Sequence, residues 1–278
     1  MSVAHDNSAA RSEAAGAPSR LTNWWGAHRG SARVRLLQLA GVITFLAAWQ
    51  VFGASDTYFY SQPSLVLGDL SELLFEDDLL ALVWSSTQAL MIGIAIALVA
   101  GITIGMLMGR YRTVALALDP YMSMYYSVPR VAFVPLMIIW FGIDQQFIIA
   151  SVVAATTALL IFATAAGVRE TLSAYQEVAH SFQINGLQMF TKILLPGAIP
   201  FIATGMRLGV QRALVAVIVG EFLIGLSGVG LLLREARITL NTDRMFALAI
   251  VAMIMGIVLV LLTSLVERRF SKWRPQVF

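Results

Sequence analysis

Polar and apolar positions divide the chain into six long apolar runs, at roughly 35–53, 84–108, 118–141, 146–168, 198–224 and 245–266. Each is long enough, as a helix rising 1.5 Å per residue, to cross about 30 Å of hydrocarbon. None alternates polar and apolar at every second residue, so membrane helices are predicted rather than barrel strands. Pro129, Arg130 and Pro135 interrupt the third run and predict a kink there. Between the first two runs, residues 54–83 are amphipathic over Leu65, Leu67, Leu70, Leu73 and Leu74. Pro63-Ser64 is placed to start a short surface helix there. Residues 1–33 are polar and rich in Ala, Ser and Gly, which predicts a disordered tail. The apolar run that follows exceeds a signal h-region and reads as a retained first span.

Composition agrees. The 278 residues are 58% hydrophobic and 13% charged, where soluble domains carry about 25% charged residues. The chain has no Cys, and its histidines (His5, His28, His180) are scattered, so no metal site is predicted.

Charge sets an expected orientation. With the N-terminus in the cytoplasm, the inner side holds Arg11, Arg20, Arg29, Arg33, Arg35, Arg110, Arg112, Arg169, Lys192, Arg268, Arg269, Lys272 and Arg274. The outer side then holds only Arg234, Arg237 and Arg244, while 54–83 carries Asp56, Asp69, Glu72, Glu76, Asp77 and Asp78. The positive-inside bias therefore predicts a multi-pass inner-membrane protein with both termini and the 169–197 loop in the cytoplasm.

Active transport needs an energy source. A phosphate-binding loop requires Gly-Lys-Ser/Thr, but Thr191 precedes Lys192 and Ser271 precedes Lys272. Glu221 is the one carboxylate well inside a predicted span, which is thin support for a proton path. The chain is predicted to bind no cofactor and not to be an enzyme. Either it is passive or structural, or it takes energy from a partner. The 177–196 segment, EVAHSFQINGLQMFTKILLP, points to the partner. Glu177–Ile184 is expected to form two helical turns, Asn185-Gly186 to break them by positive φ, and Leu187–Leu195 to resume the helix until Pro196 closes it. Phe182, Ile184, Leu187, Met189 and Phe190 would give it an apolar face for a groove on a soluble protein. An amphipathic loop lying on the inner leaflet fits the residues equally.

The spacing of Glu177, Ala179, Ile193, Leu195 and Pro196 resembles the signature loop of ABC-importer permeases. Residues 84–266, including SVPRVAFVPLMIIWFGI (127–143), ATGMRLGVQRALVAVIVGEF (203–222) and GVG (228–230), are similar to the nitrate/sulfonate/taurine branch. Gln183 stands where that family has Gly, and Asp144 where the branch usually has Gly. The resemblance implies an all-α type I permease architecture of about six transmembrane helices. It also implies a homodimer of permease subunits, two cytoplasmic ATPases that bind ATP and Mg, and an extracytoplasmic solute-binding protein. It places ATPase coupling on Glu177, Ala179, Phe182, Gln183, Asn185, Gly186, Leu187, Phe190 and Pro196. The implied function is import of a small anion of the nitrate, sulfonate or taurine kind. Two alternatives are a non-transporting anchor or sensory subunit and a lone ion-coupled carrier.

The expected organisation is a tail (1–33), a first helix with an outer amphipathic segment (34–83), a permease core (84–266) and a C-terminal tail (267–278). Candidates for the translocation path are Pro129, Arg130, Pro135, Arg207 and Glu221. Pro129 and Pro135 suit a flexing pore helix or a static kink. Arg130 suits a substrate anion or a structural pair with Glu221 or a helix C-terminus. Arg207 and Arg212 are placed to snorkel inward. Glu221 suits a backbone cap, an Arg partner, a gate or a contact with a binding protein. Gly93, Ala97, Gly101, Gly105 and Gly109 recur every four residues and predict close helix packing, within one subunit or between two.

Overall fold

The computed structural model of the chain describes residues 32–55, 60–75, 78–182 and 184–271. Gln183, the expected tail before Ala32 and residues 272–278 lie outside that set, as do the side chains of Arg130, Glu177 and Ala179. The helices are α1 (Ala32–Gly53), α2 (Pro63–Phe75), α3 (Leu79–Arg110), α4 (Arg112–Ser127), α5 (Val134–Phe141), α6 (Gln145–Ser181), α7 (Leu195–Ile224), α8 (Gly228–Ile238) and α9 (Thr242–Ser271). A 3-10 turn, Arg130–Phe133, precedes α5. A helical turn, Gly186–Gln188, and a π-helical stretch, Met189–Leu194, lead into α7. Among the described residues the structure contains no strand.

Among the described residues five stretches are long and apolar enough to cross a membrane, and α4 with α5 makes a sixth candidate bent by 89°. The third run is thus two helices rather than one kinked span. The residue before a proline is pushed out of the α region, and Val128, before Pro129, is extended at φ −80°, ψ 133°. Pro135 does not kink anything. It occupies the first turn of α5, where its missing N–H costs no hydrogen bond.

Glycines fix how the helices pack. A methyl group at Gly93, Gly101, Gly105 or Gly109 of α3 would fall within 2.5–2.6 Å of Val152, Leu160, Thr164 or Val168 of α6. Each step of four along α3 meets a step of four along α6, and both ascend together, so the two helices run parallel. This settles the small-residue stripe as packing within one chain. It also decides the course of residues 111–144. Extending the register puts Arg110 level with Arg169 and Gln145 level with Ser86, about 36 Å apart at 1.5 Å per residue. The bent pair must return the chain across that distance, so it acts as one crossing rather than a loop re-entering on the same face.

Helix α7 runs antiparallel to α6. Gly197 abuts Thr171, Phe201 abuts Gly167 and Gly205 abuts Ala163. Helix α9 runs antiparallel to α7, with Gly256 against Leu214, and with Glu267 accepting from Thr204 at 3.0 Å and facing Arg207 at 3.4 Å. Arg207 therefore pairs rather than simply snorkelling. The shared core joins Leu90 and Ile94 (α3), Phe147 and Val152 (α6), Val210 and Val217 (α7), and Met255 and Leu259 (α9). This sequence of directions puts Arg110, the α6–α7 turn and the end of α9 on one face, here the tip face. Helix α8 and the start of α9 lie on the opposite face.

The arginines on the opposite face have partners there. Arg234 donates to the Ile224 carbonyl at 2.9 Å, Arg237 stacks over Phe222, and Arg244 lies 3.7 Å from Glu72. Helix α2 starts at Pro63 as expected, but of the predicted leucine ridge only Leu73 is buried, beside Val66.

The chain divides after Ser64 into two compact units. In the first, Gln50 of α1 donates to Gln62 at 2.7 Å and Ser64 at 3.0 Å, tying the end of the helix to the returning chain.

Candidate functional site

At the tip, α6 continues without a break through Glu177 and Ala179 to Ser181. The two helical turns expected at 177–184 are therefore, as far as Ser181, the end of one 37-residue helix. The break is also made differently. Asn185 is extended at φ −71°, ψ 161°, and neither Asn185 nor Gly186 uses a positive φ. Its side chain accepts from the Gln188 N–H at 2.9 Å, while the Gln188 side chain accepts from the Asn185 N–H at 3.4 Å. That capping box starts the returning helix by satisfying two otherwise orphaned donors. Gly186 has open space around it, so nothing packed there demands glycine.

Pro196 does not close the segment, because the helix runs straight through it. The π-helical stretch precedes it, with the Leu195 N–H bonded five residues back to the Phe190 carbonyl. A widened turn accommodates the carbonyl that Pro196 cannot bond.

The apolar residues of the tip divide into two sets. Met189 and Leu194 are buried with Met106, Val168, Ala198 and Ile202, and Ile184 and Phe190 pack against them. Phe182 and Leu187 stand 75% and 74% exposed at the turn. The tip is thus anchored through its inner face and presents two apolar knobs on two long helices locked together by Gly197, Gly167 and Gly205. Such a hairpin can carry a push at its end along its length.

A second constellation lies near the opposite end of α7. Glu221 is 2% exposed and accepts from the Ser86 hydroxyl at 2.9 Å and the Gly230 N–H at 3.0 Å. Ser86 in turn accepts from the Val229 N–H at 3.1 Å. A methyl at Gly228 (φ +81°) or Gly230 would collide with the Glu221 side chain. Gly-Val-Gly therefore lets the start of α8 close on a carboxyl group, and Ser86 ties α3 to the same point. Of the readings open for Glu221, the structure shows the backbone cap. Replacing Glu221 by Ala is expected to cost about 3 kcal/mol of stability, because two buried donors lose their acceptor. Glu221→Gln, which keeps an acceptor oxygen, should cost about 1 kcal/mol or less. Thermal unfolding of the purified variants measures both, and equal losses would contradict the clasp.

The five path candidates do not converge. Pro129, Arg130 and Pro135 sit at the bend, Arg207 pairs with Glu267 towards the tip face, and Glu221 is closed off near the other end. The bend opens a cavity of about 800 Å3, lined by Phe133, Met137, Trp140 and Phe141 and by α6 residues such as Ile149 and Val153. Its tyrosine hydroxyl, Tyr125, donates to the Ala154 carbonyl. Among the described side chains that line it none is charged, and the side chain of Arg130, at the same bend, lies outside that set. Sequence reasoning missed Ser86 and Glu267, which carry no local motif, although GVG at 228–230 was visible beside Glu221.

Residues 97–272 match the family described as the binding-protein-dependent transport system inner membrane component. The putative aliphatic sulfonates transport permease protein SsuC of Bacillus subtilis is 30% identical, covering 95% of this chain and 98% of its own length. The taurine transport system permease protein TauC of Escherichia coli is 32% identical over 69% of this chain and 70% of its own. The bicarbonate transport system permease protein CmpB of Synechococcus elongatus is 29% identical over 79% and 82%. A solved structure of the MetNI methionine ABC transporter in an inward-facing conformation superposes with TM-score 0.62 at 15% identity, covering 69% of this chain and 95% of that one. That likeness shows the fold.

Proposed function

The chain belongs to the family of inner-membrane components of binding-protein-dependent transport systems, and from that premise we propose that it forms the path for a small organic or inorganic anion of the sulfonate, taurine or bicarbonate kind. Three relatives, matched over 95%, 69% and 79% of this chain, carry those substrates in their names. The energy comes from a separate ATPase that holds ATP and Mg and seats on the tip around Phe182 and Leu187. The observation that carries this reading is the tip itself, where two exposed apolar side chains stand on a helical hairpin whose inner face is fixed to the core. A lone ion-coupled carrier is poorly served, since the buried Glu221 is engaged by Ser86 and Gly230.

Two copies of the chain build the path, with a solute-binding protein on the opposite face. One chain encloses no charged passage among its described residues, while α4 and α5 bury no side chain and leave Tyr121, Met124, Ile139 and Trp140 exposed for a neighbour. The tip face is cytoplasmic, because Arg110, Arg112, Arg169, Lys192, Arg268 and Arg269 gather there.

Uptake and orientation are tested together. ATP-dependent uptake of a sulfonate, taurine or bicarbonate into vesicles requires the chain, its ATPase and its binding protein. Since the chain has no Cys, a single introduced thiol is the sole target for maleimide. A membrane-impermeant maleimide applied to intact spheroplasts should label Ile238→Cys and spare Leu187→Cys. The opposite pattern would place the tip outside and end the coupling reading.

A further inference from the structure

Where α3 hands over to α4 at Tyr111, a cleft of about 410 Å3 opens on the tip face, apart from the two knobs and the clasp. We propose that this cleft holds the phosphodiester headgroup of an anionic phospholipid between the guanidinium groups of Arg110, Arg112 and Arg169. The site goes beyond the coupling role but rests on the membrane placement of the tip face given above.

All three arginines line the cleft. Arg112 and Arg169 are exposed, and among the described residues neither takes part in an ion pair. Arg110 lies 5.4 Å from the Tyr111 ring, which holds its guanidinium near the handover. Planar guanidinium forks match phosphate oxygens in pairs. The first turn of α4 contains no acidic residue and has no side-chain cap, so its N–H groups also favour an anion. Basic pockets between transmembrane helices at the cytoplasmic interface are suited to acidic headgroups.

Two further features favour a lipid over a free anion. Leu116, one turn into α4 from Arg112 and away from the tip, lines the same cleft, which suits glycerol and the first acyl carbons but gives inorganic phosphate nothing. Asp119 lies two turns along α4 from Arg112 and lines the same cleft. Its carboxylate opposes a deeper anion and keeps the phosphate at the rim.

The test titrates phosphatidylglycerol into the purified full chain in complex with its ATPase and reads bound lipid by native mass spectrometry, with phosphatidylcholine as comparison. The double variant Arg112→Gln/Arg169→Gln should bind phosphatidylglycerol at least about tenfold more weakly, given the attraction each basic residue supplies at a membrane surface. Lys192→Gln/Arg269→Gln, which removes the same charge from the same face outside the cleft, should change it about twofold at most. Asp119→Asn should bind phosphatidylglycerol several-fold more tightly, and it decides the matter if the arginine variant fails to fold. Equal loss in both arginine and control variants, no preference over phosphatidylcholine, or displacement by millimolar inorganic phosphate would each overturn the proposal. ATPase association is recorded in the same samples, so a failure of the lipid site is distinguishable from a failure of the coupling reading.

Discussion

Substituting Phe182→Asp together with Leu187→Asp is expected to abolish ATP-driven uptake while leaving the permease folded. Both side chains are about three-quarters exposed in the isolated chain, so their loss removes no packing from the core. Exposed substitutions of this kind usually change stability by no more than about 0.5 kcal/mol. On an ATPase groove the same two side chains would be buried. Burying each is worth about 1.5–3 kcal/mol, so losing both weakens association by roughly two to four orders of magnitude. The measurement pairs co-purification of the ATPase with uptake in proteoliposomes, alongside thermal unfolding as a check on the fold. Leu74→Asp provides the control, since Leu74 is 48% exposed on α2, away from the tip. Unchanged ATPase association in the double variant would remove the tip from the coupling mechanism. Loss in the Leu74 variant as well would mean that any added charge disturbs the complex.

The second large effect is expected along the parallel seam. Leucine at Gly101 or Gly105 should destabilise the protein by about 3 kcal/mol or more at each position, towards the upper end for overpacked cores. At Gly105 even a methyl group would lie 2.6 Å from Thr164 Cβ and 2.7 Å from the Ile161 carbonyl oxygen. The second of these is backbone, which no rotamer change relieves. At Gly101 the obstacle is Leu160 Cβ at 2.5 Å, equally fixed. Lipid tails are as apolar as leucine, so helices in a bilayer hold together largely by close contact. Forcing α3 from α6 therefore gives up that attraction along the whole stripe. Gly41→Leu and Gly68→Leu should be nearly neutral, since nothing lies within 4 Å of an added Cβ at either position. Thermal unfolding of the four variants in detergent distinguishes the sites, and a tolerant Gly105 would mean that the parallel register is wrong.

Much of this was legible along the chain because the bilayer acts on local properties. Five apolar runs became long helices, since hydrocarbon rewards an unbroken apolar stretch with a fully bonded backbone. Pro129 announced a disruption for an equally local reason. Its geometry, a near right angle rather than a kink, depends on Val128 and on where the chain must return, and the second constraint is set by contacts with distant helices. The small-residue stripe signalled close packing but not its partner. Only the pairing of Gly93, Gly101, Gly105 and Gly109 with Val152, Leu160, Thr164 and Val168 fixes direction.

At the tip, sequence singled out residues 177–196 and the apolar Phe182 and Leu187, which the structure leaves exposed. It misjudged how the backbone turns there, because Asn185 serves as a cap and Asn-Gly also permits a positive-φ turn. Ser86 and Glu267 were invisible for a different reason. Each gains its role from a partner 135 and 63 residues away, respectively, and a lone serine or glutamate at the edge of an apolar run carries no mark of that.

The parallel alignment of α3 and α6 has a consequence for biogenesis. The glycine-lined side of α3 finds its match only when a segment about sixty residues downstream has been made, which at ribosomal speeds of roughly 5–20 residues per second is a delay of several seconds. During that interval α3 sits in the bilayer beside α4 and α5 without its principal neighbour. Its grooved side tolerates the wait because small apolar residues expose no unbonded polar group to lipid. Assembly of the core is therefore a late event, governed by the arrival of α6 and completed as α7 folds back along it.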